Sequence, residues 1–180
     1  LADVAVRRAA CSSLGERAYG VPAALLRDAY GFSPQETMAE AQRKVDDALV
    51  AMGLDESSRA LVARHLGYVL GLAPEDAQAQ HLDPEQLKTQ IFTAVYAVLD
   101  RRLQMGPVLL QVEDLHWADT ARAEVVGYLV HQAQGRPFML LVTHRPTAEA
   151  EALARGVEAH TLIALEPLSS QVSTALLDGL

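Results

Sequence analysis

The chain has 180 residues, half of them hydrophobic and 21% charged, which is enough for one domain with a proper core and excludes a disordered polypeptide. Its formal net charge of -8, with Lys and Arg scattered along the chain, excludes a surface that binds nucleic acid by neutralising phosphates. The single cysteine, Cys11, excludes an internal disulfide framework and points to a reducing, cytoplasmic setting, and no apolar run approaches the ~18 residues of a membrane span.

The chain begins at Leu1 rather than Met and stops at Leu180 inside a helical pattern, so it reads as a piece of a longer polypeptide. Ala2 to Cys11 contains VAVRRAAC, half-alternating and short, which predicts a strand over residues 4–10. Gly15 and Gly20 bracket a loop, and Pro22 opens a short helix that Gly31 stops. Ser33, Pro34 and Glu36 supply an N-cap, a first-turn proline and a capping acid for a helix to about Met52, with Gly53 as terminator. Leu61, Val62, His65, Leu66, Val69 and Leu70 form the next helical face, which ends near Gly71. Asp83-Pro84-Glu85-Gln86 repeats the capping signal. Leu87, Ile91, Val95, Val98 and Leu99 then recur every three or four residues.

After Gly106-Pro107 the character changes. Val108 to Val112 is a short apolar run that reads as a buried parallel strand, and Thr120 to about Gln134 is helical. Phe138 to Val142 is a second buried strand ending in THRP, a short helix is expected near Ala148 to Arg155, and His160 to Leu165 is a third candidate strand. Ser169 and Ser170 cap a last helix. Strands alternating with helices predict an α/β fold, a mostly parallel sheet with helices on both faces. The helical stretch between the first two strands, about 22–105, is then a large insertion or decoration on that sheet.

The stretch VLLQVEDLHWAD, Val108 to Asp119, carries the chemistry. Ligands of open parallel sheets sit outside the carboxyl ends of the strands, where Glu113 and Asp114 lie. Successive side chains of an extended chain point opposite ways, so one acid can face a cation while its neighbour faces another part of the site. Magnesium takes few protein carboxylates and completes its shell with water and substrate phosphates, and a second carboxylate can orient a water toward the terminal phosphorus. The plain alternative is that two acids leave a strand and start a loop.

The same stretch resembles the Walker B segment of the signal-transduction ATPases with numerous domains, a branch of the P-loop NTPases in which an apolar strand, an acidic pair and HWxD occur together. CSSLGERAYGVPAALLRDAYG is similar to the segment after the second strand of such ATPases, LDPEQLKTQIFTAVYAVL to their helix before Walker B, and FMLLVTHRP to their sensor strand. LIALEPLSSQVSTALL is similar to the strand and helix that lead out of the nucleotide core. The resemblance implies a partial P-loop NTPase-like domain over 1–180, with a Walker B and sensor core over about 106–180. It implies ATP and Mg²⁺ as ligands, with Glu113 holding the metal through water and Asp114 polarising the attacking water. Arg145 would sense the γ-phosphate, with Thr143 beside it among the cofactor-binding positions. His144 stands where the family often has tyrosine or serine.

One part of the family pattern is absent. No GxxxxGK[ST] phosphate loop occurs, and the two lysines, Lys44 and Lys88, sit in helical patterns without preceding glycines. The family order puts that loop and a central strand before residue 4. The expected function is therefore part of a regulatory ATPase module in a multidomain signalling protein, with the other domains of the parent as partners. CSSLGERAYG favours modules fused to class III adenylate or guanylate cyclases over those of LuxR-type transcription activators. The alternative, from another class, is an interaction or scaffold module that docks through the helical insertion or self-associates at exposed sheet edges.

The other candidates weigh less. Glu113, Asp114, His116 and Asp119 offer one histidine, too few for a transition-metal site. His116 and Trp117 read as fixing the loop after the strand. His65 reads as a core residue, and His81, His131 and His160 as surface groups. Cys11 reads as a structural thiol, Ser12-Ser13 as loop, and Arg7-Arg8 and Arg101-Arg102 as solvated pairs.

Overall fold

The computed structural model describes residues 4–11, 19–33, 35–72, 83–118, 120–146, 152–155, 157–169 and 174–176. Three strands, β1 (Ala5–Ala10), β2 (Val108–Glu113) and β3 (Phe138–Val142), form a parallel sheet in the order β1-β2-β3. Ala5, Val108 and Phe138 lie in register, as do Ala9, Val112 and Val142. Among the described residues, the helices between β1 and β2 are α1 (Gly20–Tyr30), α2 (Met38–Ala51), α3 (Glu56–Leu70) and α4 (Pro84–Met105). A single 3-10 turn (Leu115–Trp117) and α5 (Thr120–Gln132) connect β2 to β3. The fold is α/β, as the alternation of strands and helices predicts.

Three of the helices, α2, α3 and α4, start where a side chain satisfies free N–H groups, whereas α1 begins after Tyr19 without a side-chain cap. The start of α2 differs from expectation. Its N-cap is Thr37, whose hydroxyl accepts from the Glu40 N–H at 3.3 Å while the Glu40 carboxylate accepts from the Thr37 N–H at 2.9 Å. Ser33 and Glu36 have the same spacing as Thr37 and Glu40, but the Ser33 hydroxyl donates to Gln35 and the Glu36 carboxylate accepts from Lys44, so neither is left to form the box. Asp55 caps α3, and Asp83 caps α4 with Pro84 in its first turn. At the other end of α3, Gly71 adopts φ 71°, and Leu72 N–H reaches back to Gly67 O at 2.8 Å.

The apolar stripes converge on one core. Val45 and Leu49 of α2, Leu66 of α3, Ile91 of α4 and Val125 of α5 are completely buried, and they share one cluster with Ala5, Ala9, Val108, Leu110 and Val112 of the sheet. On α3 the expected face is buried apart from Leu61, which is exposed. His65 is a buried core residue, bonded through Nδ1 to Leu61 O at 2.8 Å and through Nε2 to Gln90 at 3.0 Å.

The expectation of helices on both faces is corrected among the described residues. Residues of all five helices join Ala5, Leu110 and Val112 of one sheet face in a single buried cluster, with α1 packed directly on β1. The opposite face carries Val6, Arg8, Leu109, Gln111, Met139 and Leu141, and it is open: Met139 is 59% and Leu141 42% exposed. The third candidate strand is also corrected. His160 to Leu165 has no regular structure, and Leu162, Ile163 and Leu165 are exposed. A strand needs a neighbour for its N–H and C=O groups, and among the described residues β3 pairs only with β2. Of the short helix expected near Ala148 to Arg155, residues 152–154 are helical and Arg155 is a turn, and of the last helix 174–176 are helical; residues 148–151, 170–173 and 177–180 lie outside the described residues. No helix among the described residues is long and apolar enough to cross a membrane.

Candidate functional site

The parallel register brings the carboxyl ends of all three strands to one edge. Ala10 lies beside Glu113, and the Cys11 N–H donates to Glu113 O at 2.8 Å, so backbone of the β1 side holds the first acid. The Glu113 side chain points to the open face of the sheet. There its Oε1 accepts from Gln111 Nε2 at 2.8 Å, and Gln111 Oε1 accepts from Arg8 Nε at 3.3 Å. Arg8, Gln111 and Glu113 thus form a short polar ladder across two strands. Sequence reasoning had set Arg8 aside as a solvated charge and did not single out Gln111. The signal for them was the register, which only the structure supplies.

Asp114 is not extended, as simple alternation supposed. It sits in the left-handed region, φ 54° and ψ 40°, and ends β2 in a turn. Aspartate tolerates this conformation better than most residues because its short polar side chain bonds locally. The turn is fastened to the end of β3. Asp114 N–H donates to Thr143 Oγ1 at 3.0 Å, Leu115 N–H to Thr143 O at 3.0 Å, and Thr143 N–H to Val112 O at 3.0 Å. Thr143, expected among the cofactor-binding positions, is exposed, and its hydroxyl oxygen holds the acid's backbone. Leu115 is buried beneath the turn and anchors it to the core.

His116 tightens the same corner. Its Nδ1 accepts from the Arg145 N–H at 3.4 Å and lies 3.9 Å from Asp114 Oδ1. Its side chain is 9% exposed and Nε2 is buried without a hydrogen-bond partner. The ring stacks at a tilt on Trp117, centroids 4.9 Å apart, and Trp117 itself is 46% exposed. His116 therefore fixes the loop after the strand, as its position suggested, and reaches Arg145 as well. His144 turns its ring to the backbone, Nδ1 to Arg145 O at 2.7 Å. Asp119, the last residue of the sequence motif, lies outside the described residues, as do Ser12, Ser13 and His81.

Asp114, Thr143 and Arg145 are thus brought to one corner at the carboxyl edge, with Glu113 adjoining on the open face. Glu113, Asp114 and Arg145 are exposed. Cys11 is buried, and His131 and His160 are exposed. Chemically, the edge offers two exposed hard carboxylates, with the Arg145 backbone held beside the second of them through His116. Such a set suits a hydrated divalent cation or an anionic oxygen more than it suits a soft transition metal.

No family model matches the chain, and no solved structure matches it. An uncharacterized protein of Rhizobium meliloti (strain 1021) is 29% identical over 103 residues, which is 57% of this chain and 10% of that protein. The chain therefore spans about a tenth of the length of the curated relative it matches.

Proposed function

We propose that the chain is the acid-and-sensor portion of a regulatory ATP-binding and ATP-hydrolysing module in a multidomain signalling protein, in which nucleotide state controls an attached nucleotide cyclase. One observation carries the reading. Asp114 and Arg145 come from different strands, and hydrogen bonds through Thr143 and His116 hold them at one corner of the carboxyl edge, the side where parallel sheets bind ligands. In this reading Asp114 orients the attacking water, Glu113 holds Mg²⁺ through water, and Arg145 neutralises charge on the terminal phosphate.

The residues present fit the metal half of such a site. Both acids are exposed oxygen donors, and magnesium asks for no more than one or two with water. They supply little grip on the phosphates. The chain has no GxxxxGK[ST] loop, and Lys44 and Lys88 are paired on the helices, with Glu36 and with Glu85 and Glu124. The loop would come from elsewhere in the parent, next to β3, whose uncharged FMLLV suits an interior position.

Titration calorimetry with Mg-ATP tests this. Binding is expected to be poor for the 180-residue chain and strong for a version extended upstream by about one βα unit. Failure of the extended version to bind removes the ATPase reading. In that version Asp114→Asn should keep ATP binding and lose turnover, and unchanged turnover would take Asp114 out of the site.

A second reading has its own support: the open sheet face and the uncovered apolar residues between Leu162 and Leu168 favour a docking module without catalysis. It predicts association with neighbouring domains that does not respond to Mg-ATP.

A further inference from the structure

The bonds through Thr143 stop at that residue, and His116 carries the link two residues further, to the backbone of Arg145. An imidazole nitrogen that accepts a hydrogen bond carries no proton, so the neutral ring holds its proton on Nε2. That nitrogen is the buried one without a partner. The ring thus leaves a buried donor unpaired while Nδ1 stays on the Arg145 N–H, and it sits between Asp114 and the exposed Trp117.

We propose that His116 is a positioning residue that couples the turn bearing Asp114 to the strand end bearing Arg145, acting as a neutral Nε2–H ring whose Nδ1 holds the Arg145 backbone. The role rests on the ATPase reading for its catalytic consequence and on the ring geometry for its existence. It touches neither phosphate nor metal. It sets the distance between the acid and the arginine, so its loss should slow the chemical step more than it weakens binding.

Two substitutions separate the two ring nitrogens. His116→Asn places an oxygen near the position of Nδ1 and keeps the acceptor, whereas His116→Gln places an amide nitrogen near Nε2 and loses it. Long-range proton–nitrogen spectra of the chain at pH 8 should give His116 the pattern of an Nε2-protonated neutral ring. Amide exchange at Arg145 should accelerate about tenfold in His116→Gln and change by less than about threefold in His116→Asn. In the full-length parent, His116→Gln should lower kcat about tenfold with KM for Mg-ATP nearly unchanged, and His116→Asn should restore most of it. An Nδ1-protonated ring, or equal behaviour of the two variants, overturns the proposal. Absence of turnover in the unsubstituted parent counts against the ATPase reading instead, and the ring pattern and Arg145 exchange then decide the role of His116 alone.

Discussion

The left-handed backbone of Asp114 explains why an aspartate, and not any acid, ends β2. A residue with a Cβ pays about 1 kcal/mol or more in this region unless its side chain helps, and Asn and Asp are the ordinary exceptions. Asp114→Asn should therefore leave stability within about 0.5 kcal/mol, while Asp114→Ala should cost about 1 kcal/mol, both read from urea unfolding. Equal costs would show that the conformation is not maintained by the residue type. Thr143→Val makes a second test. It removes the oxygen that accepts from the Asp114 N–H, and the loss should stay under about 1 kcal/mol because that exposed donor can take a water instead. Neither feature could be read in the sequence. The acids and the strand were visible in VLLQVEDLHWAD, but alternation assumed an extended chain through Asp114, and the partner at Thr143 depends on the β2–β3 register.

Among the elements, the caps show which local signals can be trusted. Two pairs, Ser33 with Glu36 and Thr37 with Glu40, have a hydroxyl three before a glutamate, and only the second forms the box, because Ser33 donates to Gln35 and Glu36 accepts from Lys44. Thr37→Ala should lower stability by about 1 kcal/mol and fray α2 in amide exchange, and Ser33→Ala should do neither. The same termini predict an acid response. The Ser57 and Ser58 hydroxyls and the Ser58 N–H hold the Asp55 carboxyl far below its ordinary value of 3.8, and Lys44 and Thr37 hold Glu36 and Glu40 below 4.5. Groups lowered by folding stabilise fully above their unfolded values and lose that contribution as pH falls through the folded ones. Helical circular dichroism should hold level above pH 4.5 and decline below it, with a smaller decline in Asp55→Asn and at high salt, because these groups are exposed. A decline that begins well above pH 4.5, or one that Asp55→Asn leaves unchanged, would remove these caps as its cause. The strand expected at His160–Leu165 shows the opposite case. Its residues have strand-like composition, but pairing is a property of two segments, and no described strand stands beside it.

For the molecule as a whole, the sequence revealed the α/β class and the parallel sheet, because βαβ spacing and apolar runs are local. It did not reveal that the face carrying Met139 and Leu141 is open, since Phe138–Val142 reads the same whether one or both faces are covered. The result is a lopsided distribution of stability. Leu66 is completely buried between helices, so Leu66→Ala should cost about 2–5 kcal/mol, combining lost transfer free energy with a cavity. Leu141 is as apolar and lies in the central sheet, but it faces outward at 42% exposure. Leu141→Lys should therefore cost under about 1 kcal/mol in the chain by itself, where a lysine in a covered sheet would unfold it. If the chain is part of a longer protein, as proposed, and another domain lies on this face, the outcome should reverse: the same lysine should then lower the melting temperature of that protein by several degrees. Thermal scans of both lengths, with and without Leu141→Lys, measure the difference directly. A large loss in the 180-residue chain would mean that the face is covered within it, and a small loss in both would mean that nothing in the parent packs there.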